Sequence, residues 1–172
     1  MTPVNARPLR RAGARAVFAM LALFATPPAA QALEFRAYAR GEFANLVKAH
    51  AGRPFVAHYW SIACPACVAE LPQWAKLIGE RRDLDVLLIN TDDEEMRERA
   101  AMRLEKAGLG GAANYGFADS FVEKLYFEVD RSWRGELPFT ALVAADGTRT
   151  TVTGAIDDPD FIAWLKKTGR KP

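Results

Sequence analysis

Two cysteines stand three positions apart, Cys64-Pro65-Ala66-Cys67, and the 172 residues contain no others. They come directly after the apolar run Phe55-Val56-Ala57-His58-Tyr59-Trp60, which reads as a buried strand. They open a segment of helical character that runs to about Glu80 and must bend at Pro72. A thiol at that junction faces the unpaired N–H groups and the positive end of the helix, which favours its thiolate. The thiol of Cys67, one turn further in, is placed to attack a mixed disulfide formed on Cys64. Pro65 at the first helical position gives up a donor that would have had no partner. The spacing therefore describes a two-electron thiol–disulfide switch.

Other uses of such a pair fit less well. A structural zinc site needs four ligands, and neither a second cysteine pair nor a histidine follows Cys67. A c-type haem site needs histidine directly after the second cysteine, where Val68 stands. A disulfide closing one helical turn as a mere staple adds little stability.

Half of the sequence is apolar, which excludes disorder, and the length excludes a large multidomain enzyme. The formal charge of +2 is misleading. Of the 23 basic residues, Arg7, Arg10, Arg11 and Arg15 lie in the first 32, which carry no acid. The other 19 face 21 acidic residues, so residues 33–172 carry a net −2 and offer no case for nucleic-acid binding. The basic start leads into an apolar run over residues 16–25, too short to span a bilayer, then Pro27-Pro28 and Ala30-Gln31-Ala32. Residues 1–32 thus have the form of a secretory signal peptide cut before Leu33. The Arg10-Arg11 pair lacks the twin-arginine context, and no cysteine stands at the cleavage point to carry a lipid. A soluble, exported, periplasmic domain over residues 33–172 is expected, where disulfides persist.

Along that domain the pattern predicts a helix over residues 41–51, the strand over 55–60, the helix over 64–80 and a strand over 84–90. A helix to about Ala107 follows, opened by a Thr91-x-x-Glu94 capping box. A short strand near Tyr115 and a helix over 119–128 come next. Strands over 139–145 and 148–153 flank the hairpin signal Asp146-Gly147, and Asp158-Pro159 opens a last helix. Crossover units first and an antiparallel hairpin last make an α/β domain, with a central mixed β-sheet and helices on both faces.

The segment from Tyr59 to Pro72, with Trp60 before the cysteines and Pro72 eight residues after Cys64, resembles the active-site segment of thioredoxin-like proteins. It is most similar to the exported TlpA/ResA-type thiol–disulfide oxidoreductases, and the element order extends the resemblance over nearly all of residues 33–172. The resemblance implies a thioredoxin-like fold in which Leu137-Pro138 is the cis-proline loop facing the cysteines. Trp60, Leu137 and Pro138 would then be substrate-binding, with Trp60 packed under the active-site loop. Two departures stand out: small Ala63 replaces an aromatic before the first cysteine, and Arg134-Gly135-Glu136 occupies the place of a glycine-rich insertion.

Around the pair, His58 points to the same face as Val56 and Trp60. The resemblance puts it where thioredoxins hold a buried acid that accepts the proton of the second cysteine. A neutral imidazole can do the same, and a core histidine is the plain alternative. Glu70, three residues after Cys67, matches a glutamate that ResA-like proteins place at their site; the alternative is a solvated helix charge. His50 reads as a helix-end charge, Trp74 and Trp164 as packing, and Trp133 as a packing residue or part of the groove rim.

The expected catalytic set is Cys64, Cys67, His58 and Glu70, with neither cofactor nor metal indicated. The resemblance implies a reductant whose clients bear disulfides or paired thiols, reducing the oxidised cysteines of apocytochrome c or copper sites, supplied by a membrane thiol donor and acting as a monomer. A disulfide-forming oxidant and a copper-binding chaperone of the same fold stay open as alternatives.

Overall fold

A computed structural model describes residues 33–168 of the chain; the expected signal peptide lies outside them. Strand β2 (Phe55–Trp60) is buried at all six positions because it is flanked and covered on every side. It pairs in parallel with β3 (Asp85–Asn90), Phe55 opposite Asp85 and Trp60 opposite Asn90. On its other edge it runs antiparallel to β5 (Phe139–Val143), with His58 opposite Thr140. With β1 (Arg36–Tyr38), β4 (Ala113–Phe117) and β6 (Arg149–Thr153), the six-stranded sheet has the order β1-β4-β3-β2-β5-β6. The central mixed sheet is as the sequence implies.

The strand period of two divides the core. Phe55, Ala57 and Tyr59 join Phe43 and Leu46 of α1 (Glu42–Ala49) and Leu125 and Val129 of α4 (Val122–Val129). There the Tyr38 and Tyr59 hydroxyls share a buried hydrogen bond of 2.8 Å. Val56 and Trp60 join Cys67, Leu71 and Trp74 of α2 (Pro65–Glu80), Leu104 of α3 (Arg97–Lys106) and Phe161 of α5 (Pro159–Thr168). The helices thus cover both faces, α2, α3 and α5 on the side of the cysteines.

Three local expectations change. The capping box does not form: the Thr91 N–H donates to the Trp60 carbonyl at 2.9 Å, so this residue still belongs to the sheet ladder. The helix instead opens with a 3-10 turn over Glu94–Met96. The helix expected at 119 starts at Val122, because the Asp119 carboxylate accepts the Phe121 N–H in a local turn and pairs with Arg40 at 2.6 Å. The edge strand β1 is absent from the sequence reading altogether. It is three residues long, with two of them exposed, and leaves no period to read.

The hairpin signal resolves into a three-residue loop, with Ala144 N–H donating to the Thr148 carbonyl at 2.8 Å and Gly147 at φ +84°. A left-handed third loop residue is the reason glycine serves there. At α5, the Asp158 carboxylate accepts the Asp160 N–H at 2.8 Å ahead of Pro159, the capped start the sequence predicts.

Candidate active site

Cys64 is the N-cap of α2: its backbone is extended, Pro65 follows in the first turn, and its Sγ accepts the Cys67 N–H at 3.1 Å. One orphan donor of the helix start is thereby satisfied by sulfur. The two cysteines form a disulfide with Cα atoms 5.3 Å apart. Cys64 is half-buried between exposed Ala63 and exposed Pro65, while Cys67 has no exposed surface. One sulfur of the pair is open to a partner molecule and the other is sealed behind it.

The loop carrying Cys64 is held by a residue the sequence reading missed. Asp92, just past β3, accepts the Ile62 N–H at 2.8 Å through Oδ2 and the Ser61 hydroxyl at 2.5 Å through Oδ1. The Ser61 Oγ in turn accepts the Ala63 N–H at 2.9 Å. Asn90 Nδ2 donates to Asp92 Oδ2 at 2.6 Å, and Arg97 Nη1 donates to Asn90 Oδ1 at 3.2 Å. Every residue between Trp60 and Cys64 is therefore tied, directly or through Ser61, to one carboxylate. In the sequence Asp92 stands inside the Thr91-x-x-Glu94 capping pattern, which points to a helix start and not to the cysteine loop.

Between β2 and α2 lies a buried polar chain. His58 and Glu70 are 0% and 2% exposed, and the His58 Nε2 and Glu70 Oε1 lie 3.2 Å apart. The two atoms are poorly aligned for a hydrogen bond, and neither has another partner among the described residues. On its other side His58 Nδ1 is 3.0 Å from the Thr140 hydroxyl, and Glu70 Oε2 accepts the Ile156 N–H at 2.8 Å. The ring tautomer sets whether Nδ1 donates to the Thr140 hydroxyl or accepts from it. The imidazole lies against the Trp74 ring, centroids 4.2 Å apart. Burial lowers the His58 pKa from its ordinary value of 6.5, and its contact with Glu70 opposes that shift without cancelling it. Glu70 is not a solvated helix charge.

The other expected residues sort by burial. Leu137 is half-buried and packs against both core clusters, the second of which includes Cys67 with Cys64 at its margin. The Leu137–Pro138 peptide bond is cis, and the Pro138 carbonyl accepts the Gly154 N–H at 2.9 Å. Trp60 has no exposed surface, so the expectation that it binds substrate is corrected: it supports the cysteine loop from below and cannot touch a partner. Trp133 is no rim residue either. It is stacked on Phe139 at 4.1 Å and its Nε1 donates to the Glu136 carbonyl at 2.9 Å, pinning the loop before Leu137. His50 ends α1, its Nδ1 2.7 Å from the Leu46 carbonyl.

Fold and site together define a thioredoxin-like domain with its cysteine pair at the start of the helix after the central strand. Solved structures of that kind match it. A secreted disulfide oxidoreductase of Mycobacterium tuberculosis, described as homologous to Escherichia coli DsbE, shares 22% identity, with 70% of this chain and 85% of that one covered at a TM-score of 0.53. A thiol:disulfide interchange protein of the thioredoxin family from Chlorobium tepidum shares 15% identity over 70% and 83% of the two chains, at a TM-score of 0.55. A putative thioredoxin of Neisseria meningitidis shares 18% over 69% and 76%, at 0.52. No protein-family model and no curated protein sequence matches the chain.

Proposed function

We propose that this protein is an exported thiol–disulfide oxidoreductase that reduces disulfides in periplasmic client proteins. The observation that carries the proposal is the asymmetry of the pair: a half-exposed Cys64 sulfur at a helix N-terminus, backed by a fully buried Cys67. In the reduced protein the Cys64 thiolate attacks one sulfur of a client disulfide. A mixed disulfide forms and the client's other sulfur leaves as a thiolate. Cys67 then loses its proton and attacks Cys64 Sγ, which releases the second client thiolate and leaves the Cys64–Cys67 disulfide. Two electrons pass to the client, and a membrane dithiol donor restores them. His58 and Glu70 take up and relay the Cys67 proton in this scheme, since a buried thiol is otherwise costly to ionise. Half-buried Leu137 presents the surface along which the client chain lies, buried Pro138 fixes the cis turn that holds it there, and the protein acts as a monomer.

The reducing direction is supported by what surrounds the sealed sulfur. Burial disfavours the cationic form of His58, and a thiolate that no cation faces is less stabilised, which makes its disulfide a weaker oxidant. The test has two arms. Cys67→Ala is expected to trap mixed disulfides with clients and Cys64→Ala to trap none; trapping through Cys67 would reverse the roles. Equilibration in redox buffers is expected to give a potential nearer that of thioredoxin, about −270 mV, than that of a strong periplasmic oxidant, about −120 mV. The opposite result would make the protein a disulfide-forming oxidant.

A further inference from the structure

Helix α3 presents a stripe that the chemistry above does not use. Arg99, Met102, Arg103 and Lys106 fall at i, i+3, i+4 and i+7, along one side of the helix. All four are exposed, and Met102 keeps 54% of its surface in water, one of the few large apolar side chains that do. None of the three cations forms an ion pair among the described residues. The acids of the same helix, Glu98 and Glu105, lie roughly a quarter turn round from the stripe. Residues 33–172 are net acidic, so this concentration of positive charge is local.

The stripe borders the redox pair. Together with Ile62, two residues before Cys64, its four side chains line a shallow cavity of about 240 Å³. Arg103 and Lys106 also line a second one, of about 200 Å³, with Val68, the residue after Cys67. Each cavity joins apolar wall to cationic rim. Apolar side chains with carboxylates on either side match that combination, and the shared lining by Ile62 and Val68 places them next to the loop and helix start that carry half-buried Cys64.

We infer that this face of α3 is a docking surface for an acidic stretch of polypeptide adjoining the client's disulfide. The inference rests on the thiol–disulfide reading for what brings such a client, but the surface binds whether or not electrons move. Three exposed cations that act together steer an anionic chain and hold it modestly, with an effect that salt screens.

The experiment uses three peptides with one common disulfide-closed core, flanked by glutamates, by glutamines or by lysines. Binding is measured on the oxidised protein, where no exchange occurs. The glutamate peptide is expected to bind about tenfold tighter than the glutamine peptide in dilute buffer, and the difference to fade at about 0.5 M salt. The triple variant Arg99→Glu, Arg103→Glu, Lys106→Glu, all at exposed positions, is expected to reverse the order in favour of lysine. With reduced protein, the preference is expected to appear in KM and to leave kcat alike for the three peptides. Equal binding of the three peptides by the wild type would overturn the inference. So would an unchanged preference in a folded triple variant. If the preference holds in binding while reduced protein passes electrons to no peptide, the docking surface stands and the redox reading falls.

Discussion

At the scale of single residues, Asp92 and His58 offer two separate tests of the proposed chemistry. Asp92 accepts from the Ile62 N–H, the Ser61 hydroxyl and the Asn90 amide, so its removal frees the loop that carries Cys64. Asp92→Ala is expected to slow the first attack on a client and to cost about 1–3 kcal/mol of stability. Rapid-mixing kinetics and urea unfolding check the two effects; an unchanged attack rate would limit Asp92 to a structural role. For His58 the expected pattern is the inverse: His58→Ala slows resolution by Cys67 and leaves the first attack nearly unchanged. Equal resolution rates in variant and wild type would return His58 to a packing role. Of these two residues only His58 was legible in the sequence, through its phase on a strand ending at the cysteines. The Asp92 contacts join residues about thirty positions apart, and no local pattern records them.

At the scale of elements, long periodic or buried segments were readable and short ones were not. Strand β2 was found at both ends because six apolar or aromatic residues lie between Pro54 and the cysteine loop. Strand β1 exists because β4 offers a free edge, with Arg36 opposite Tyr115, and not because of its own three residues. The start of α3 was displaced because a ladder hydrogen bond at Thr91 outcompeted a side-chain cap. The packing of α3 on β4 gives a sharp test. A Cβ at Gly116 would collide with Arg97 Nη1, and the same guanidinium donates to Asn90 and to the Phe117 carbonyl. Gly116→Ala therefore displaces Arg97 from these acceptors, with an expected loss of about 1–3 kcal/mol in chemical unfolding. Adding Arg97→Ala to it is expected to cost little more, since the clash is then gone.

For the molecule as a whole, pH enters through the buried imidazole. Desolvation holds the folded-state pKa of His58 below 6.5, with the Glu70 contact opposing. Between the folded value and 6.5 the unfolded chain binds a proton that the folded chain refuses, so stability falls as the solution is acidified below about pH 6.5. The slope reaches at most about 1.4 kcal/mol per pH unit for one proton. Unfolding curves between pH 5 and 7.5 check this, and His58→Gln is expected to remove the slope. Asp119 and Asp130, which hydrogen bonds hold below the ordinary 3.8, act at lower pH: their contribution is present above that value and is lost as pH falls through the folded one.

The buried polar chain between β2 and α2 also has a consequence for synthesis. Its links join His58 to Thr140 and Glu70 to Ile156, 82 and 86 residues along the chain. A nascent polypeptide that has grown just past α2 already owns both thiols and the helix start that activates them. What it lacks are Thr140 and Ile156, the two partners with which His58 and Glu70 are buried. Until β5 and the turn before α5 emerge, Cys67 has no seal, and both sulfurs stand open to any oxidant. The partners that bury His58 and Glu70 are supplied by the last third of the chain to be made.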